Sequence, residues 1–103
     1  MPLTDADLVA RVLVDDDHHA FAELVRHHQS AIRGLLRQLT RSDLALADDL
    51  AQVTFLRAYK HLPSYRGGAN FSTCTYRIAY HCFRAAARKR TELVGADEAL
   101  LAV

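Results

Sequence analysis

Residues 18–39 read HHAFAELVRHHQSAIRGLLRQL, and Phe21, Leu24, Val25, His28, Ile32, Leu35, Leu36 and Leu39 recur along them at helical spacing. A stripe held in register for about five turns of 3.6 residues predicts an amphipathic helix with one buried face. Upstream, Asp15, Asp16 and Asp17 form a turn and cap. Before them, Thr4 is an N-cap followed by Asp5 and Asp7 and by the apolar residues Leu8, Val9, Val12 and Leu13, which predicts a short first helix. Downstream, Ser42 or Asp43 caps a third helix that runs to about Leu62, where Pro63 and then Gly67-Gly68 break the pattern and leave a loop at 63–70. Asn70 or Ser72 starts a fourth helix, with Phe71, Cys74, Thr75, Ile78, Ala79, Cys82 and Ala86 facing inward and an end near Arg90. From Thr91 no clear amphipathic pattern follows. No segment alternates with period two, so the fold class expected is all-α: a compact bundle of four helices, with a short first helix and a functional loop between helices three and four.

The composition agrees. A chain of 103 residues, 50% hydrophobic and 24% charged, fits one core and excludes an outright disordered chain. Two prolines and four glycines favour helix throughout. No window approaches the roughly 18 consecutive apolar residues of a membrane span, and the acidic opening is unlike a signal peptide. The expectation is a soluble, cytoplasmic protein without a membrane partner. Cys74 and Cys82 on one helix stand about 12 Å apart along its axis, beyond the reach of a disulfide, and read as small core residues.

The formal net charge of +1 conceals a segregation. Residues 1–49 carry nine acids and five bases, whereas residues 50–91 carry eight bases (Arg57, Lys60, Arg66, Arg77, Arg84, Arg88, Lys89 and Arg90) and no acid. A one-signed field of this kind suits a polyanion; the bland alternative is a solvated basic face.

Two surfaces exceed what folding requires. The third helix seals to the bundle through Ala47, Leu50, Ala51, Thr54, Phe55, Ala58 and Leu62, which leaves a second stripe of Leu46, Asp49, Gln52, Val53 and Leu56. Branched apolar groups around a carboxylate and an amide suit a partner helix, unless they merely widen a deeply buried helix. Along the fourth helix Arg77, Tyr80 or His81, Arg84 and Arg88 share one side, with Tyr76 and Phe83 nearby. Guanidinium groups bind phosphates and aromatic rings stack on unpaired bases, so this mixture points to single-stranded or melted nucleic acid. The loop Ser64-Tyr65-Arg66-Gly67-Gly68-Ala69-Asn70 precedes it and can form a pocket beside the basic face.

Other chemistry finds little support. The pairs His18-His19 and His27-His28 point to different faces and make no metal-ligand spacing, and the central basic segment offers no carboxylate for acid–base work. No metal, cofactor or catalytic residue is expected.

The segments DDLAQVTFLRAYKHL (48–62) and FSTCTYRIAYHCFRAAARKR (71–90) resemble region 2 of extracytoplasmic-function (ECF) sigma factors, which direct bacterial RNA polymerase to promoters. The likeness extends over roughly residues 4–90. It implies that the third helix docks on the clamp helices of the largest subunit of core RNA polymerase, with Leu46, Asp49, Gln52, Val53 and Leu56 as contacts. It further implies that the loop and fourth helix take bases flipped from the non-template strand of the promoter minus-ten element, through Tyr65, Arg66, Asn70, Tyr76, Arg77, Tyr80, His81, Arg84 and Arg88. An anti-sigma factor is left open as a further partner. On this reading residues 1–92 form the region 2 domain and 93–103 resemble the start of a linker, with no helix-turn-helix region 4 in the chain. Three positions depart from the family pattern: Val53 replaces the usual Glu, Cys74 the usual Trp, and His81 a common Asn. Two other readings stay open: a sigma-derived protein-interaction domain that no longer melts DNA, and a generic basic helical module that binds nucleic acid.

Overall fold

A computed structural model of the chain describes residues 3–64 and 70–101, and of 96–101 the backbone only. Each helix begins where the sequence supplies an acceptor for amides that have no partner inside the helix. Thr4 Oγ1 accepts from the Asp7 amide at 3.1 Å and Asp7 Oδ2 accepts from the Thr4 amide at 3.0 Å, a capping box that opens α1 (Asp5–Asp15). Asp17 caps α2 (His18–Leu39) through the amide of Ala20, and Asp43, not Ser42, caps α3 (Leu44–His61) through the amide of Leu46. Asn70 Oδ1 accepts from both the amide and the hydroxyl of Thr73 at 2.8 Å, so Asn70 rather than Ser72 opens α4 (Phe71–Leu101). The chain leaves α1 through Asp16 in the left-handed conformation (φ 49°), which a short polar side chain tolerates better than most. α3 tightens into a single 3-10 turn at Leu62–Ser64, where Pro63 has no amide to continue the helix.

The four helices bury two adjoining clusters. In one, Leu8, Val9 and Val12 of α1 meet Ala20 and Leu24 of α2, Ala58 and Leu62 at the end of α3, and Phe71 at the start of α4. In the other, Ile32 and Leu36 of α2 pack on Ala47, Leu50, Ala51 and Phe55 of α3 and on Ala79 and Cys82 of α4. Thr54 and Thr75 are fully buried without cost, because each hydroxyl donates to a carbonyl of its own helix, Leu50 O at 2.7 Å and Phe71 O at 3.1 Å. Among the described residues there is no strand, and no helix is long and apolar enough to cross a membrane.

Three expectations are corrected. Leu13, assigned to the buried stripe of α1, is 45% exposed, because at 100° per residue it lies about 90° from the centre of the arc that Leu8, Val9 and Val12 bury. Cys74 is only half-buried and belongs to neither core cluster, whereas Cys82 is the thiol in the core and Ile78 and Ala86 face inward and pack against it. α4 passes the expected end near Arg90 and continues to Leu101. Residues 91–95 are exposed, which is why no apolar stripe marks them.

Candidate functional site

At 100° per residue the five side chains Leu46, Asp49, Gln52, Val53 and Leu56 fall within an arc of about 120° on α3. Leu46 is half-buried against the second core cluster. Asp49 and Gln52 are exposed, Val53 is 37% exposed and Leu56 is 58% exposed, so this stripe does not widen a buried helix. The core-facing residues Ala47, Leu50, Ala51, Thr54, Phe55 and Ala58 are buried on the other side. What remains outward is an acid, an amide and two branched apolar groups in one contiguous strip.

Sequence reasoning missed how far this strip extends. A groove of about 500 Å³ runs between α2 and α3, with Phe21, Val25, Gln29 and Arg33 on one wall and Gln52, Phe55, Leu56 and Tyr59 on the other. Gln52 and Leu56 therefore belong to both the strip and the groove. Arg33 Nε stands 4.0 Å from Asp48, which joins the α2 wall electrostatically to the acidic start of the strip. The signal was present in Val25, half-buried at the margin of the α2 stripe, but only the pairing of two helices turns such margins into a groove.

On α4, Tyr76, Arg77, Tyr80, His81, Arg84 and Arg88 lie within an arc of about 140°, and all six are exposed. The opposite side of the helix carries Phe71, Thr75, Ala79 and Cys82 inward. The Arg84 guanidinium lies over the Tyr80 ring, 5.9 Å from its centroid, so a cation and an aromatic face are presented together. Beside this face the described residues leave a groove of about 310 Å³ between the end of α3 and the start of α4, into which His61, Cys74, Arg77 and His81 open. Asn70 sits at the entrance of α4 with its side-chain oxygen committed to Thr73, and among the described residues its amide nitrogen has no partner. Tyr65 and Arg66, expected to take part, lie outside the described residues.

The histidines take up a different chemistry from metal binding. His27 Nδ1 and His28 Nε2 both hydrogen-bond Asp5, at 3.1 and 2.5 Å. His18 Nε2 meets Asp16 at 3.3 Å, and the Tyr59 hydroxyl donates to the same carboxylate. Partial burial tends to raise the Asp5 carboxyl, but the hydrogen bonds from His27 and His28 outweigh it and hold the group below the ordinary carboxylate range. Among the described residues no group of His, Cys, Asp and Glu is placed to hold a metal ion.

The bundle thus presents two distinct surfaces on successive helices, an acid-amide-apolar strip on α3 and an arginine-tyrosine face on α4. Residues 24–92 match the model of the family Sigma-70 region 2, and the chain belongs to that family. It is 42% identical over 78 residues to the ECF RNA polymerase sigma-E factor of Haemophilus influenzae, an alignment that covers 75% of this chain and 39% of the relative. It is 41% identical over 75 residues to the RNA polymerase sigma-H factor of Pseudomonas aeruginosa, covering 73% and 38%. The sigma-E factor of Escherichia coli K12 is 40% identical over 78 residues, covering 75% and 39%. The chain thus spans about two fifths of the length of these relatives. The family is one of transcription-initiation factors, not enzymes.

Proposed function

We propose that this domain seats itself on core RNA polymerase through α3 and helps open promoter DNA through α4. The clamp helices of the largest polymerase subunit take the strip Leu46, Asp49, Gln52, Val53 and Leu56. With Val53 in place of an acid, that contact is more apolar and rests its polar part on Asp49 and Gln52. The non-template strand of the minus-ten element lies along α4, where Arg77, Arg84 and Arg88 engage phosphates, Tyr76 and Tyr80 stack on unpaired bases, and Asn70 and His81 donate to base edges. Tyr65 and Arg66, from the preceding stretch of sequence, are further contacts to the same strand on this reading. Such work takes place in the bacterial cytoplasm, and residues beyond 92 lead away from the domain.

The observation that carries this reading is the separation of the two faces. The acidic-apolar strip and the arginine-tyrosine face stand on different helices of one packed bundle, an arrangement in which one partner need not displace the other. The test uses core polymerase loaded with the chain and a fluorescent single-stranded minus-ten oligonucleotide. Tighter binding of the single strand than of duplex, lost when Tyr76 and Tyr80 are replaced by Ala, supports promoter melting. Equal binding of single strand and duplex marks a generic basic module, and polymerase binding without any oligonucleotide binding marks a domain turned to protein contacts alone.

A further inference from the structure

The helix α1 lies outside the stretch matched by the family model, residues 24–92, yet it is linked to the start of α4 by two indirect routes, one through α2 and one through α3 and α2. At its first residue, Asp5 accepts from His28 Nε2 at 2.5 Å and from His27 Nδ1 at 3.1 Å. The His28 side chain is 14% exposed, and its ring lies 5.1 Å from that of Phe71, tilted by 59°. Phe71 is the first residue of α4 and is 2% exposed. It follows Asn70 directly, the residue whose side chain caps the helix.

From Phe71 an aromatic chain returns to the other end of α1. Phe71 meets Phe21 edge-on at 6.4 Å, and Phe21 meets Tyr59 edge-on at 5.2 Å. The Tyr59 hydroxyl donates to Asp16, the left-handed residue that closes α1. Leu8, Val9 and Val12 fill the space between these ends, in the same buried cluster as Phe71. Rings that touch edge-on interlock at preferred spacings, so a displaced His28 or Tyr59 leaves Phe71 without the walls that fix it.

We propose that α1 is a strap that positions the DNA-facing end of α4, with Asp5 acting through His28 and Asp16 acting through Tyr59 to seat Phe71 and, next to it, the Asn70 cap. Asp5, His28, Asp16 and Tyr59 are thus positioning residues. They sit away from the proposed α4 contacts and act on where Asn70 and the first turn stand. The consequence for DNA reading rests on the function proposed above; the mechanical statement does not.

The test is residue-resolved amide hydrogen exchange on the whole chain, for the wild type, Asp5→Asn and Asp16→Asn. The amides of Thr73 and Cys74 report the first turn of α4, since they bond Asn70 Oδ1 at 2.8 Å and Asn70 O at 3.2 Å. Local opening of that turn should make these two amides exchange about tenfold faster in each variant, while amides of α3 from Ala51 to Phe55 change by less than about twofold. Unaltered exchange at Thr73 and Cys74 in both variants would overturn the strap, and so would equal acceleration in all helices, which would mark a merely structural role. On core polymerase Asp5→Asn, which lies away from the α3 strip and its groove, should bind the polymerase as the wild type does and hold the minus-ten single strand about tenfold more weakly. A wild-type complex that binds no single strand would sink the promoter-reading assignment, while the exchange pattern decides the strap by itself.

Discussion

The Arg84 guanidinium and the Tyr80 ring form one unit, with the cation 5.9 Å from the ring centroid. Tyr80 is 47% exposed, so the pair has an outer side on which a base can rest while Arg84 reaches a phosphate. Tyr80→Ala should therefore weaken single-strand binding by about 1–3 kcal/mol, whereas Tyr80→Phe, which keeps the ring, should stay within about twofold. Arg84→Ala should weaken binding of all sequences and reduce the salt dependence by about one phosphate contact. Fluorescence anisotropy of a minus-ten strand on the polymerase-bound chain, repeated across a salt series, measures both.

Asn70 has a structural role and a proposed one, which mutation can separate. Its Oδ1 caps α4 through Thr73, and its amide nitrogen is the group proposed to donate to a base. Asn70→Ala should lower the stability of the chain by about 1 kcal/mol, while Asn70→Asp keeps the acceptor and should cost much less. If the amide reads a base, both variants lose sequence discrimination. Chemical denaturation together with competition between oligonucleotides of altered sequence resolves the two effects.

The caps and carboxylate pairs set the limits of stability with pH. Hydrogen bonds from the Thr4 amide, the Tyr59 hydroxyl and the two histidines hold Asp7, Asp16 and Asp5 below their ordinary 3.8, in the last case against the opposing effect of burial. A depressed carboxylate contributes stability that is present above the unfolded value and is lost as pH falls through the folded one. Tyr59, held above its ordinary 10.0 by its bond to Asp16, contributes stability that is present below 10.0 and lost as pH rises through the folded value. The melting temperature should thus fall below about pH 4 and again above about pH 10. Tyr59→Phe should flatten the alkaline fall and shrink the acid one, as thermal melts across a pH series would show.

Gly34 stands in the middle of α2, is exposed, and has nothing within 4 Å of where a Cβ would lie. No turn or close approach requires a glycine there. Gly34→Ala should stabilise the chain by about 0.5–1 kcal/mol and raise its melting temperature by several degrees, with polymerase and DNA binding unaltered.

Much of this fold was legible because the chain states its helix boundaries in its own chemistry. Thr4 was readable as a cap, the caps of α2 and α3 were narrowed to Asp15, Asp16 or Asp17 and to Ser42 or Asp43, and the stripe through Leu24, Ile32 and Leu36 named the buried side of α2. What stayed illegible depends on partners distant in the chain. Leu13 looks like a core residue by its spacing, yet it stands at the edge of the arc that Leu8, Val9 and Val12 bury, and only the packed helices fix how wide that arc is. The helix beyond Arg90 carries no stripe because residues 91–95 are exposed, and periodicity detects packing, not helicity. The strip on α3 and the face on α4 were readable as surpluses, whereas the groove beside the strip exists only once Val25 and Arg33 stand opposite Gln52 and Leu56. His28 lay within the apolar stripe of α2, and a histidine there calls for a polar partner. That the partner is Asp5, 23 residues away, is a matter of tertiary structure.

The central claim is that Asp49 and Gln52 hold this domain on polymerase. It is tested most directly by titrating purified core RNA polymerase with the chain and with the Asp49→Ala, Gln52→Ala double variant, following complex formation by size exclusion. Both side chains are exposed, so the variant should fold as the wild type does. A complex that forms with the wild type and is weakened at least about tenfold in the variant is the predicted result. Equal binding by the two chains, or no binding by either, would contradict it.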